Sequence, residues 1–290
     1  MEFLAALLVR AVASAAIVVI ASVAAEAAGP FWGGLIITLP IAAGPAYVML
    51  ALQHDAVFIA ASALGSFATN AATFVLLTAI ALLAPRQPRW RTIGVALGAW
   101  GCAVAAIHSI DWSLGGVILL NLGMVAVAYG LTRRAARAAT SASVAPTGAR
   151  APLRRRWFEL AGRAALVGGV VATVVTASRA LGPGITGMAS VFPVAFTSFA
   201  FLVLPRLGGV AAAAVMASAV RAMPGFGLSL LVLHLAAVPF GTWPALLGML
   251  ATSLVWSAGM LAVRARRAGS VLAMPGVTPS ATAPGTRMTT

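Results

Sequence analysis

The stretch "GPFWGGLIITLPIA", residues 29–42, is almost wholly apolar, yet it contains two prolines and three glycines. A second stretch, "GPGITGMASVFPVA" at residues 182–195, aligns with it without a gap at an offset of 153. Glycine and proline interrupt helices, so their return at equivalent places is unexpected in a simple apolar run. The pair of stretches indicates an internal repeat, and further matches at the same offset, such as Arg10 with Arg163 and Trp90 with Trp243, extend it.

Composition places the chain among membrane proteins. Of its 290 residues 61% are hydrophobic and only 8% are charged, with a mean hydropathy of +1.02. A soluble domain carries about 25% charged residues, and the apolar runs here reach the ~20 residues needed to cross a bilayer. The sequence therefore predicts an all-α polytopic membrane protein with no room for a sizeable soluble domain. Its one cysteine, Cys102, lies in an apolar run and is predicted to be a buried, unreactive thiol.

The apolar runs predict nine transmembrane helices. Runs three and eight are longer than a straight crossing needs, and they contain "SFATN" (66–70) and "RAMPGFG" (221–227) near their centres. Their halves are too short to cross separately, so each is predicted to be one interrupted helix. The nine runs are 3–25, 32–51, 56–84, 92–109, 112–132, 157–180, 184–204, 207–240 and 243–263.

The basic residues predict the orientation. All 19 are arginine, and with nine crossings 15 of them fall on one face and none on the other, the rest lying within spans. Arginine accumulates in cytoplasmic loops, so the N-terminus is predicted outside and the C-terminus in the cytoplasm. The net charge of +14 is explained by topology and predicts no nucleic-acid partner. The absence of lysine suggests a GC-rich bacterial gene, hence a bacterial inner membrane.

The repeat divides the chain into five parts. Runs one to four correspond to runs six to nine, and run five lies between them. An odd spacing of five crossings makes the second copy enter the membrane from the opposite side, which is an inverted-topology repeat. The predicted parts are a first repeat (1–110), a linking helix (111–132), a basic cytoplasmic linker (133–156), a second repeat (157–267) and a disordered cytoplasmic tail (268–290).

Inverted repeats are a recurring build of secondary transporters, whose solute site lies near the bilayer midplane where Gly/Pro-interrupted segments of the two halves meet. Pro40 and Pro193 are such a pair, and they are predicted to free the carbonyls of Ile36 and Ala189. Thr197 and Ser198 follow Pro193, with hydroxyls that can bond the backbone or a solute. Close helix packing by the glycines is the alternative interpretation of these stretches.

Polar residues at depth complete the predicted substrate site. Arg221 lies near the centre of run eight, where a charge is costly and marks a functional site, and no acid is placed at its depth. Its planar fork suits a carboxylate or phosphate. Thr69 and Asn70 occupy the corresponding region of run three. The alternatives are that Arg221 bonds carbonyls around Pro224 or snorkels, and that Asn70 and its neighbours join helices.

These features favour a permease for a small solute. Arg221 indicates that this solute is an anion. A membrane-embedded enzyme acting on a lipid-linked substrate is an alternative, but only five acids are present and they are scattered, so an enzyme is not expected. An accessory membrane subunit is the other alternative. No metal or cofactor is predicted, and the expected partners are the solute, the lipid bilayer and, as an open option, a second copy of the chain.

Overall fold

The computed structural model describes residues 43–141 and 153–272 of the chain. Every regular element within these ranges is a helix, which confirms the predicted all-α class. The seven helices are α1 (Ala43–Ala51), α2 (Ala56–Leu83), α3 (Arg89–His108), α4 (Leu114–Ser141), α5 (Leu153–Ser190), α6 (Val194–Phe240) and α7 (Thr242–Leu272).

Five segments are long and apolar enough to cross a membrane, which is compatible with the predicted multi-pass location. They coincide with five of the nine predicted runs. Of the other four runs, the first lies outside the described residues and α1 covers only the end of the second. The sixth and seventh lie in α5 and in the first part of α6. The five segments are Ala56–Leu83, Arg89–His108, Leu114–Ala135, Gly208–Phe240 and Thr242–Val263.

The chain departs from helical geometry at three places in α5 and α6. The last of them, Gly208, begins the long second part of α6, Gly208–Phe240. Gly182 and Gly208 have φ angles of 71° and 77°, which only glycine adopts at no steric cost. Between them, residues 191–193 connect the end of α5 to the start of α6. The predicted run 184–204 therefore consists of two helical pieces, residues 183–190 and 194–207, with Pro193 as the N-cap of the second.

Two local predictions differ from the structure. The chain stays helical through "SFATN" in α2 and through "RAMPGFG" in α6, so the interruption predicted inside those runs is absent. The first segment has neither glycine nor proline, and two of its polar side chains, Ser66 and Asn70, bond to other helices instead. The carbonyl of Ala189 is not freed by Pro193, because it accepts a hydrogen bond from the backbone N–H of Phe192 at 3.2 Å.

The predicted basic linker is partly helical. Helix α4 continues to Ser141 and α5 begins at Leu153, so helices cover both ends of residues 133–156. Residues 142–152 lie outside the described part, as do residues 273–290 of the predicted tail. Cys102 is exposed rather than buried, because α3 packs at the periphery of the bundle.

Helix α2 forms the centre of the described bundle. It is the most buried of the five crossing-length helices and contacts α3, α4, α5 and α6. Its large apolar side chains, such as Phe74, Leu77 and Ile80, are at most 1% exposed. The polar residues that α2 carries are therefore enclosed by other helices, where each unpaired polar group is costly.

Helices α2 and α6 pack antiparallel along most of their length. Near one end Gly209 lies so close to the carbonyl of Ala84 that a Cβ atom would collide with it. Midway, a Cβ atom on Gly227 would stand 2.9 Å from Nδ2 of Asn70. Towards the other end, Nδ1 of His234 donates to the carbonyl of Ala60 at 2.8 Å. Residue numbers fall along α2 as they rise along α6, so the two helices run in opposite directions.

Candidate functional site

Two asparagines join α2 to α4 in the interior. The Nδ2 atom of Asn121 donates to the carbonyls of Phe67 and Val117 at 2.9 and 3.0 Å. Since both acceptors are carbonyls, the orientation of this amide is fixed and its Oδ1 atom must accept. Asn70 supplies the donor, with Nδ2 at 2.9 Å. The interhelical role considered for Asn70 is thus a feature of the structure.

One polar atom of this pair is left over. Asn70 is 1% exposed, and its Oδ1 atom has no hydrogen-bond partner in the described chain. The amide cannot be turned to satisfy it, because Nδ2 is needed for Asn121. A buried acceptor without a donor costs about 1–3 kcal/mol, so Asn70 offers an oxygen that a bound hydroxyl, amine or water would satisfy.

A polar stripe on α2 positions a second network. Ser62, Ser66, Thr69 and Thr73 follow at spacings of four, three and four residues, which puts them on one face of the helix. Ser66 donates to the carbonyl of Gly187 at 2.6 Å, and the Tyr47 hydroxyl donates to Ser66 Oγ at 2.7 Å. This chain ties α1, α2 and α5 together beside the break at residues 191–193.

The predicted hydroxyl ligands bond their own helices. Thr69 donates to the carbonyl of Gly65 at 2.9 Å, and Thr197 donates to that of Pro193 at 2.8 Å. Each keeps only lone pairs for any other partner. Pro193 is buried at the start of α6. Ser198 belongs to the first turns of α6, and Pro40 lies outside the described residues.

Arg221 lies midway along the second part of α6, partly buried. Its Cζ atom stands 5.7 Å from the ring centre of Tyr129 on α4, a cation–π arrangement. Within the described chain, no hydrogen bond or ion pair reaches the guanidinium. The five N–H donors of the fork therefore remain available, since a ring face beside the fork uses none of them.

The structure does not bring Arg221 and Asn70 into one contact. Asn121 and Tyr129, their partners on α4, are eight residues apart, which is ~12 Å along a helix. Both centres nevertheless lie on the seam between α4 and α6, which we define by Asn121, Tyr129, Arg221 and Gly227. Arg221 is the nearer of the two to the start of the second part of α6, where Gly209 meets Ala84.

No protein-family model, curated protein or solved structure matches this chain. Among the described residues, no three His, Cys, Asp or Glu side chains converge as metal ligands would. Sequence reasoning missed Tyr47, Ser66 and Tyr129. The regular spacing of the polar stripe on α2 was a usable signal for Ser66, whereas nothing local distinguishes the two tyrosines.

Proposed function

We propose that this protein is a secondary transporter of a small anionic solute, which pairs with Arg221 inside the membrane. The observation that carries the proposal is the state of Arg221 itself. It is a partly buried guanidinium midway along a crossing-length helix, with an aromatic ring beside it and no counter-charge among the described side chains. A charge at such depth is costly without a partner, and a carboxylate or phosphate of a solute supplies one.

The arrangement of α2 and α6 supports an inverted repeat. The repeat offset of 153 makes Ala71 of α2 equivalent to Pro224 of α6. Two close contacts between these helices, Asn70 with Gly227 and Ala84 with Gly209, place Ala71 and Pro224 at the same level. Equivalent helices that run antiparallel and cross at equivalent residues are what a two-fold axis in the membrane plane generates. Such an axis relates the halves of many secondary transporters, with the solute site close to it.

Helix boundaries support the same offset. Helix α3 begins at Arg89 and α7 at Thr242, which are 153 positions apart. Asp55 precedes α2, and Gly208, again 153 positions later, begins the second part of α6. The repeat was recognised from a few identical residues, and such identities do not require the helices to begin at equivalent positions. The equivalent helix starts therefore support duplication of the fold independently.

The interrupted segment between α5 and α6 supports transport rather than a purely structural role. Irregular backbone at membrane depth is tolerated where it is buried in protein or lines a wet cavity, and broken helices accompany solute sites. Here the Ser66 hydroxyl satisfies the Gly187 carbonyl in the last turn of α5. The break at residues 191–193 therefore lies beside a polar contact between α5 and α2, at the depth of Ser66 along α2.

A solute that follows the seam between α4 and α6 meets two kinds of group in turn. The guanidinium of Arg221 pairs with the negative charge. About 12 Å farther along the seam, Oδ1 of Asn70 accepts a hydrogen bond from a hydroxyl or a hydrating water. The predicted orientation puts Arg221 nearer the cytoplasmic face, so the charge would be recognised first from that side.

The test is anion-dependent stabilisation of the purified protein. Inorganic phosphate, sulfate, acetate and succinate are the probes, and Arg221→Gln, Arg221→Lys and Arg179→Gln are the variants. Arg179 is exposed near His54, so its variant removes the same charge away from the seam. At least one anion should stabilise the native protein. Arg221→Gln should weaken that binding about thirtyfold, and Arg221→Lys should lose less because it keeps a point charge.

Two outcomes would refute the role of Arg221. In the first, both Arg221 variants lower the thermal stability equally with and without anion, while the affinity of the folded protein is unchanged. Arg221 would then be a structural residue. In the second, Arg179→Gln weakens anion binding as much as Arg221→Gln does, which would show a general effect of net charge.

A further inference from the structure

The turn between α2 and α3 carries three exposed arginines in six residues. Arg86, Arg89 and Arg91 are all exposed, and we call residues 84–91 the arginine turn. Its backbone is well fixed, since the N–H groups of Arg86 and Gln87 both donate to the carbonyl of Leu83 at 2.9 Å. Because it joins two crossing-length helices, this turn lies at the membrane surface, at the level of the lipid headgroups.

Two aromatic rings hold one of these arginines. The Cζ atom of Arg89 lies 4.8 Å from the ring centre of Trp90 and 5.9 Å from that of Phe201. The two rings meet edge to face, with centres 5.1 Å apart. A guanidinium over aromatic rings keeps the N–H donors on its edge, which are the donors that bind phosphate oxygens. The rings therefore orient Arg89 without consuming its hydrogen bonds.

Neither acid whose side chain is described can neutralise the arginine turn. Asp55 precedes the start of α2 and Asp111 follows the end of α3, so both lie at the far ends of the two helices that the turn joins. No ion pair links the three arginines to the described residues. The turn thus presents three positive charges together with half-exposed rings, Trp90 at 59% and Phe201 at 42%.

We propose that the arginine turn binds the headgroup phosphate of an anionic phospholipid. The charge complements the phosphate, and arginines next to a transmembrane helix attract anionic lipid. The exposed rings favour a lipid over a soluble anion, because tryptophan is enriched at the membrane–water interface, where its ring lies at the level of the headgroups. Arg89 contributes an oriented fork, while Arg86 and Arg91 supply charge on either side.

The chain contains a natural comparison for this site. The turn between α6 and α7 lies 153 positions later and also exposes aromatic side chains, Phe240 at 71% and Trp243 at 51%. It has no arginine: Thr242 and Pro244 stand where the first turn has Arg89 and Arg91. Rings anchor both turns in the interface, whereas only the first turn is suited to a phosphate.

The test counts lipids retained by the intact protein in native mass spectrometry, with phosphatidylglycerol and phosphatidylcholine compared. Arg86→Gln with Arg91→Gln removes two charges from the arginine turn. Arg133→Gln with Arg134→Gln is the matched control, since both residues are exposed at the end of a crossing-length segment, without the ring arrangement. The first double variant should bind phosphatidylglycerol at least tenfold more weakly, from about fivefold per arginine near the surface. The control should lose clearly less affinity than the first double variant, because its arginines do not flank the ring-held Arg89.

Three results would overturn the proposal. The first is that the wild-type protein has no preference for phosphatidylglycerol. The second is that the two double variants lose this preference equally, which would indicate diffuse attraction to the basic face. The third is displacement of the lipid by inorganic phosphate at matched concentration, which would indicate a site for a soluble anion. Thermal unfolding in phosphatidylcholine should be the same for all variants, since the four arginines are exposed.

Discussion

The asparagine pair permits a sharp prediction about stability. Asn121→Leu removes the acceptor that Asn70 Nδ2 has within the described chain, where Oδ1 of the same amide is already without a partner. The whole Asn70 amide would then be buried without a hydrogen bond. Asn70→Leu has a smaller effect, because it removes the unpaired Oδ1 atom and leaves only Oδ1 of Asn121 without its donor. The double variant leaves no unpaired amide atom.

The expected magnitudes follow from these counts. One stranded polar group costs about 1–3 kcal/mol, so we expect Asn121→Leu to lower the free energy of unfolding by about 2 kcal/mol. For Asn70→Leu the expected loss is about 1 kcal/mol. Polar pairs between membrane helices couple by about 0.6 kcal/mol on average and up to about 1.7 kcal/mol. The enclosure of Asn70 favours the upper part of that range.

Reversible unfolding in bicelles, applied to the wild type, both single variants and the double variant, measures the coupling. The double variant should be at least as stable as Asn121→Leu alone, although it has one more substitution. Strict additivity of the two single losses would refute the hydrogen bond and the fixed orientation of both amides. The oxygen that is offered to a solute would then lose its structural basis.

Two further predictions concern contacts of α5, one with the turn before α2 and one with α2 itself. Burial and the charge of Arg179 lower the pKa of His54, against an opposing effect of Asp55, so the folded protein binds fewer protons than the unfolded chain below the ordinary value of about 6.5. The contribution of His54 to thermal stability should therefore be fully present above that pH and should be lost as the pH falls below it. The variant His54→Gln should show a weaker dependence of thermal stability on pH. An unchanged pH profile in this variant would contradict the prediction. Gly187→Ala should lower the free energy of unfolding by about 1–3 kcal/mol, because the new Cβ collides with the carbonyl of Ser62. Gly184→Ala should not destabilise the fold, because there is open space around its Cβ. Equal stability of the two variants in bicelle unfolding would contradict the close packing of α5 on α2.

The membrane character and the approximate limits of five crossing-length segments follow from the sequence because hydropathy is summed over about 20 residues and needs no knowledge of neighbours. Helix starts are also local, as where Asp55 accepts the N–H of Phe58 at the beginning of α2. These features are properties of single segments, so a pattern in the chain is sufficient to predict them.

Contacts between helices depend on rotation and register, which no single segment determines. The polar "SFATN" segment was interpreted as a break, yet its Asn70 is paired across to α4 and the helix continues. Arg221 and Asn70 were placed in one site because they fall at similar depth, and their different partners on α4 separate them. Cys102 was expected inside because its run is apolar, but an apolar residue on a peripheral membrane helix can equally face lipid.

The most direct test of the inverted repeat compares two equivalent turns. Gln87 and Phe240 are 153 positions apart, and both are exposed at the ends of crossing-length segments. Single cysteines at these positions, introduced with Cys102→Ser, would be labelled with a membrane-impermeant maleimide in intact cells and in inverted vesicles. An inverted repeat predicts that Phe240→Cys is labelled from outside and Gln87→Cys only from the cytoplasmic side. Labelling of both cysteines from the same side would contradict it.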